Sequence, residues 1–198
     1  MSPSAVVTRP VLADALPGAR VRDALLVVAG ALLTAVCAQI SIHLPGSPVP
    51  LTGQTFAVVL VGAGLGSRRG GLALLLYLML GLVAPVYASG ASGSSVLFGA
   101  SGGYIFGFVL AAWAVGWIAE RGGDRRVLSA FIAFVVGQLL VYGVGVPWLK
   151  VSATLSWSAA IHEGFAIFIL GGLVKAAAAG VLMPTAWRLL AALRGGAR

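Results

Sequence analysis

The apolar runs of this sequence are continuous rather than alternating, and no other property restricts its fold as much. A membrane barrel strand alternates polar and apolar residues, so continuous runs select helices. Composition then decides the solvent. Hydrophobic residues make up 60% of the 198 and charged residues 9%, against about 25% charged in a typical soluble domain. The mean hydropathy is +1.03. So little charge cannot cover a water-facing surface, and in lipid the backbone must satisfy its own hydrogen bonds, which a helix does within one segment.

Three regions are expected: a polar, flexible lead over 1–22, a transmembrane domain over 23–190 and a basic tail over 191–198. Six transmembrane helices are read at about 23–44, 55–66, 71–86, 104–119, 127–144 and 161–190. A ~30 Å hydrocarbon core needs about 20 residues at ~1.5 Å each. The first, fourth, fifth and sixth runs meet that. The second is too short, so a neighbouring loop must complete its layer. No internal repeat is visible.

With the N-terminus cytoplasmic, the inner side holds eleven basic residues: Arg9, Arg20, Arg22, Arg68, Arg69, Arg121, Arg125, Arg126, Arg188, Arg194 and Arg198. The outer loops hold Lys150 alone. That asymmetry supports six spans with both termini cytoplasmic. It also explains the net charge of +8 without nucleic acid, because the basic residues sit at the ends of apolar runs. The three outer loops are HLPGSPVPLTGQ (43–54), YASGASGSSVLFGASGG (87–103) and GVPWLKVSATLSWSAA (145–160). They are long and uncharged except for Lys150. Glycine lets backbone approach a ligand and long loops on a rigid scaffold often carry sites; the alternative is that they only connect helices.

Lys175 lies inside the last helix. A charge at mid-membrane costs about 2.5–3.5 kcal/mol on insertion scales, which makes it a functional candidate whose partner must be found. Four of the five carboxylates, Asp14, Asp23, Glu120 and Asp124, belong to the inner flank. The fifth, Glu163, is about 18 Å away along a continuous helix. An anionic ligand entering from outside would supply the missing partner, a carboxylate being the simplest. A neutral lysine, or one held by backbone carbonyls, is the alternative. Thr34, Gln39, Gln54, Thr55, Gln138 and Tyr142 are further polar groups at membrane depth, fit either to bind a ligand or to tie helices together. Ala31 and Ala35 form a small-xxx-small pair on the first helix, a candidate close-packing face.

Several chemistries are excluded. A Walker A loop needs Gly directly before its Lys, but Lys150 follows Leu149 and Lys175 follows Val174. Two histidines and the single Cys37 cannot build a conventional zinc site or a disulfide framework. One enzymatic rival stands, an intramembrane serine protease of the rhomboid type. Both 90–93 and 99–102 read GASG, matching its GxSG pattern, with Ser92 and Ser101 as nucleophiles and His162 as base. Against it, GxSG is easily met by chance among 28 glycines, and His162 sits at the outer mouth.

The stretch PVPLTGQTFAVVLVGAGLGSRRGGLALLLYLMLG (48–81), followed by APVYASGASG, LFGASGGYIFGF (97–108) and GVPWL (145–149), resembles the BioY proteins, the biotin-specific S components of energy-coupling factor (ECF) transporters. The similarity runs from the first helix to the last. It implies an all-α, six-helix S-component-like bundle in the bacterial cytoplasmic membrane, not an enzyme. Such a bundle captures biotin from outside and works with a transmembrane T subunit and paired ATPase subunits; assembly as a homo-oligomer stays open. No cofactor and no metal are implied. The biotin carboxylate would meet Lys175, and the bicyclic head would meet Gln54, Thr55, Tyr87, Ser89, Gly90, Tyr104, Gln138 and Tyr142. Ala31 and Ala35 would face the T subunit. One departure stands out: the family typically reads PGDLLK near the start of the last helix, whereas this chain reads LGGLVK (170–175), with Gly172 in place of the aspartate. Another acceptor (Gln54, Ser89 or Gln138) must substitute, or affinity or ligand differs. A non-enzymatic alternative is an S component for another anionic vitamin.

Overall fold

A computed structural model describes residues 10–15 and 20–195. Arg9, Arg198 and the outermost parts of the lead and tail lie outside the described residues. The elements run α1 (Arg20–Gln39), β1 (Ser41–Ile42), β2 (Leu51–Thr52), α2 (Gln54–Leu65), α3 (Ser67–Leu80), α4 (Ser94–Phe98), α5 (Gly102–Ala119), α6 (Val127–Ser152), α7 (Trp157–Gly164) and α8 (Ile169–Gly195). Short 3-10 turns lie at Leu12–Ala15, Ala88–Gly90 and Ala166–Phe168. β1 and β2 form an antiparallel hairpin, Ser41 opposite Thr52 and Ile42 opposite Leu51. Among the described residues, four stretches are long and apolar enough to cross a membrane: Arg20–Gln39, Gly102–Ala119, Val127–Ser152 and Trp157–Leu193. These are the four that the length argument admits. α2 has 12 residues and α3 has 14, rising about 18 and 21 Å.

One end of the bundle is held by charge. α2 turns directly into α3 at Gly66, whose φ of 85° is a left-handed conformation that glycine adopts without steric cost. Glu120 accepts hydrogen bonds from the Ser67 amide and hydroxyl, both at 2.8 Å, so a carboxylate caps the positive end of α3. Arg69 in the same turn reaches Asp14 at 2.6 Å and Asp23 at 3.2 Å. Arg125 donates to the Pro10 carbonyl at 3.1 Å, and Trp187 donates to Asp124 at 2.6 Å. The polar lead, expected to be flexible, is therefore anchored over part of its length. Val11 is 2% exposed and packs with Val59, Ala63 and Val115.

Small residues let the helices approach closely. Of the long helices α5 is the most enclosed, 61% of it buried. A Cβ added at its Gly116 would fall on the backbone of Gly66 and Ser67, and one at Gly62 of α2 would lie 2.5 Å from the Ala112 carbonyl oxygen of α5. α1 joins through Gly30, Ala31, Thr34, Ala35 and Ala38, all buried. The expected partner face on α1 needs correction here. Ala31 is 0% and Ala35 8% exposed, packed with residues of α2 and α3, so this small-residue face is spent inside the chain.

Several helix limits differ from those expected; α3 runs Ser67–Leu80 rather than 71–86, starting directly at the Gly66 turn and leaving 81–86 to the loop. α1 stops at Gln39 rather than 44, where the Gly53 amide takes the Ile40 carbonyl (2.9 Å) and the hairpin begins. α6 continues through GVPWL to Ser152 despite Pro147. An interior proline costs ~3 kcal/mol, offset here because Leu149 is 0% exposed and Trp148 donates to the Gly99 carbonyl at 2.9 Å. The last helix, expected as one, is two. The break at Phe165 leaves the Gly164 carbonyl without a helical partner, and the Tyr104 hydroxyl donates to it at 2.9 Å.

Candidate functional site

At the end opposite the arginines lies a cavity of about 350 Å³, within the range of small-molecule pockets. The loop and hairpin after α1 supply His43, Leu51 and Thr52; the start of α2 supplies Gln54 and Thr55; the loop after α3 supplies Tyr87 and Ser89, and the turn between α4 and α5 supplies Ser101. Tyr104, Ile105 and Phe108 of α5, Tyr142 of α6, Phe168 of the 3-10 turn before α8 and Lys175 of α8 close it. The wall is mostly apolar, with polar groups at a few places.

Lys175 is the one charged side chain among these lining residues. Its Nζ donates to the Thr52 carbonyl at 2.5 Å and to the Thr55 hydroxyl at 3.0 Å. Both partners are neutral dipoles. They reduce the cost of burying the ammonium, but they do not neutralise it. An ammonium has three protons, so one remains after these two bonds. Of the sequence alternatives for Lys175, the Thr52 bond matches a lysine held by a backbone carbonyl, and its described partners carry no charge.

The other polar groups are oriented by the scaffold. Thr52 Oγ1 donates to Gln54 Oε1 at 2.8 Å, and Gln54 Nε2 donates to the Tyr77 hydroxyl at 2.5 Å. The Tyr87 hydroxyl donates to the Leu78 carbonyl at 2.7 Å, with its ring seated against Gly81. Tyr142 meets Tyr104 and Phe165 edge-on, with ring centroids 6.4 and 5.1 Å apart.

Of the residues singled out from sequence, Lys175, Gln54, Thr55, Tyr87, Ser89, Tyr104 and Tyr142 line the cavity. Gly90 and Gln138 do not. Gly90 has a positive φ of 73° and serves the turn that carries Ser89. Gln138 is 5% exposed and donates to the Gly172 carbonyl at 2.6 Å, tying α6 to α8 one turn before Lys175. A Cβ at Gly172 would lie 2.5 Å from Gln138 Oε1, so Gln138 occupies the room that a side chain at 172 would need. Sequence reasoning missed Thr52, which acts through its backbone carbonyl, and the apolar wall of Ile105, Phe108 and Phe168, which no sequence signal separates from lipid-facing residues. Ser101 lines the cavity, while His162 is exposed on α7.

A family model described as the BioY family matches residues 8–192. The "Biotin transporter BioY2" of Lactococcus lactis subsp. cremoris (strain MG1363) is 38% identical over 152 residues, covering 76% of this chain and 82% of that protein. The "Probable biotin transporter BioY" of Pyrococcus horikoshii (strain ATCC 700860 / DSM 12428 / JCM 9974 / NBRC 100139 / OT-3) is 35% identical over 164 residues, 82% of this chain and 94% of that one. The fold matches the crystal structure at 2.1 Å of the S-component for biotin from an ECF-type ABC transporter, with a TM-score of 0.78 at 21% identity over 85% of this chain and 92% of that chain.

Proposed function

The chain belongs to the BioY family, and from that premise we propose that it captures biotin from the outer side of the membrane and carries it inward as the S component of an ECF-type transporter. The family is one of transport components, not enzymes, so the two GxSG serines are loop residues and Ser101 is part of a binding wall. In this reading the chain crosses the bacterial cytoplasmic membrane six times, with both termini inside. The gathering of the described arginine side chains and four carboxylates at one end, and of the cavity at the other, supports that orientation. α2 and α3 are each too short to span alone, and the hairpin and the loop after α3 complete their layers. Energy must come from a T subunit and ATPase subunits, because the sequence has no Walker A loop of its own.

One observation carries the substrate assignment: a lysine on the cavity wall whose described partners are neutral. A monocarboxylate entering from outside completes its electrostatics, and the apolar wall suits a compact ring system. The runner-up is an S component for another anionic vitamin, favoured by Gly172 where relatives of this kind typically carry an acid. Equilibrium binding to the purified protein in detergent, with competition by a vitamin panel, tests both. Saturable biotin binding at micromolar concentration or below is expected. No binding overturns the assignment, and stronger displacement by another anionic vitamin transfers it to the runner-up.

A further inference from the structure

We propose that Tyr77, which does not line the cavity, is the positioning residue that decides which end of the Gln54 amide faces a ligand there. Tyr77 is 0% exposed on α3. Its hydroxyl lies 2.5 Å from Gln54 Nε2 and 3.2 Å from the Val86 carbonyl oxygen. A phenol has one proton, and a carbonyl can only accept. In the structure the proton is directed to Val86, which leaves the Tyr77 oxygen as an acceptor. Only the NH2 end of Gln54 can donate to it. The carbonyl end is thereby turned toward Thr52, whose hydroxyl donates to it at 2.8 Å. That hydroxyl accepts in turn from the Gln54 backbone amide at 3.3 Å. An amide flip would draw the Tyr77 proton to the Gln54 carbonyl and away from Val86, so the hydrogen bond to Val86 favours the orientation with the NH2 end on Tyr77.

The consequence lies at the cavity wall. Gln54 is 5% exposed, and it lines the cavity together with Thr52 and Lys175. With one lone pair of its carbonyl taken by Thr52, the other remains as a fixed acceptor for an N–H donor. The same Thr52 holds Lys175 through its own carbonyl, so the cation and the acceptor are set by one residue. An amide or cyclic urea at one end of the ligand and a carboxylate at the other would find complementary groups. Tyr77 acts on this only through Gln54.

The identity of the N–H ligand rests on the proposed biotin reading, but the orientation of the amide does not, and the tests separate them. The chain has three glutamines, Gln39, Gln54 and Gln138, so selective 15N-glutamine labelling gives three side-chain NH2 pairs. Tyr77→Phe is expected to shift the Gln54 pair and leave the other two in place. An unmoved Gln54 pair overturns the proposal whether or not biotin binds. In the binding arm, Tyr77→Phe is expected to weaken biotin about tenfold, the effect of one hydrogen bond, and to spare an analogue methylated at both ureido nitrogens. Equal losses for the two ligands mean a merely structural role and overturn it. In a Gln54→Ala background Tyr77→Phe should cause no further loss of discrimination; an undiminished effect there overturns it too. Thr52→Val, which acts on the other end of the same amide, is expected to move the same NH2 pair. It keeps the question open to decision if Tyr77→Phe does not fold.

Discussion

Lys175 and Gly172 sit one helical turn apart on α8, and their surroundings separate what each does. Lys175 Nζ spends two of its donors on Thr52 and Thr55 and keeps its charge uncompensated by protein. Lys175→Ala is therefore expected to weaken biotin about 10- to 100-fold, the range of a hydrogen bond between charged groups, and an uncharged biotin amide much less. Equal losses in titration calorimetry would show that the lysine does not meet the carboxylate. At Gly172 the deciding neighbour is Gln138, whose Oε1 is 2.5 Å from where a Cβ would stand. Gly172→Asp alone is expected to lower the thermal unfolding midpoint in detergent and to leave biotin affinity no better than wild type. Combined with Gln138→Ala, which frees the space, it is expected to bind biotin more tightly. A gain by Gly172→Asp alone would refute this account of the site.

Among the elements, α5 shows how close packing replaces the hydrophobic effect where lipid is the solvent. Helix association there relies on van der Waals contact between small residues. Gly116 is the tightest point against the α2–α3 turn, so Gly116→Ala is expected to cost about 1–3 kcal/mol by overpacking. Thermal unfolding in detergent checks this, with Gly64→Ala as control, because a Cβ at Gly64 meets nothing within 4 Å. The helix limits that sequence reading missed have the same origin. GVPWL looks like a loop because Pro147 and Gly145 disfavour a helix locally, yet buried Leu149 and the Trp148 hydrogen bond carry α6 through it. The split between α7 and α8 rests on Tyr104, sixty residues away from Gly164, and no local pattern could announce it.

For the whole molecule, the testable property is orientation. Cys37 is the only cysteine, so a Cys37→Ser background is clean for labelling. Ser92→Cys, exposed beside the cavity, should react with a membrane-impermeant maleimide in intact cells, and Arg126→Cys, exposed at the arginine end, only after lysis. The reverse pattern would invert the topology. Ala31 and Ala35 bind α1 to its own bundle, so the partner subunits proposed above would dock on other residues.

Charge and hydropathy along the chain were enough to determine that it is helical, that it lives in lipid, and which end gathers the arginines. Each of these is a solvation preference that every residue expresses where it stands. The lysine was legible as a candidate for the same reason, since an isolated ammonium among apolar residues calls for a partner, and the motifs of 48–108 carried the family. What only the tertiary structure decided is how groups far apart in sequence meet: Thr52 and Thr55 at Lys175, Tyr77 behind Gln54, Gln138 in the space beside Gly172. These are questions of direction and of distances within a few ångströms. They depend on the angles at which helices cross, and those are settled by small residues that look alike in sequence whether they face a neighbour, a cavity or lipid.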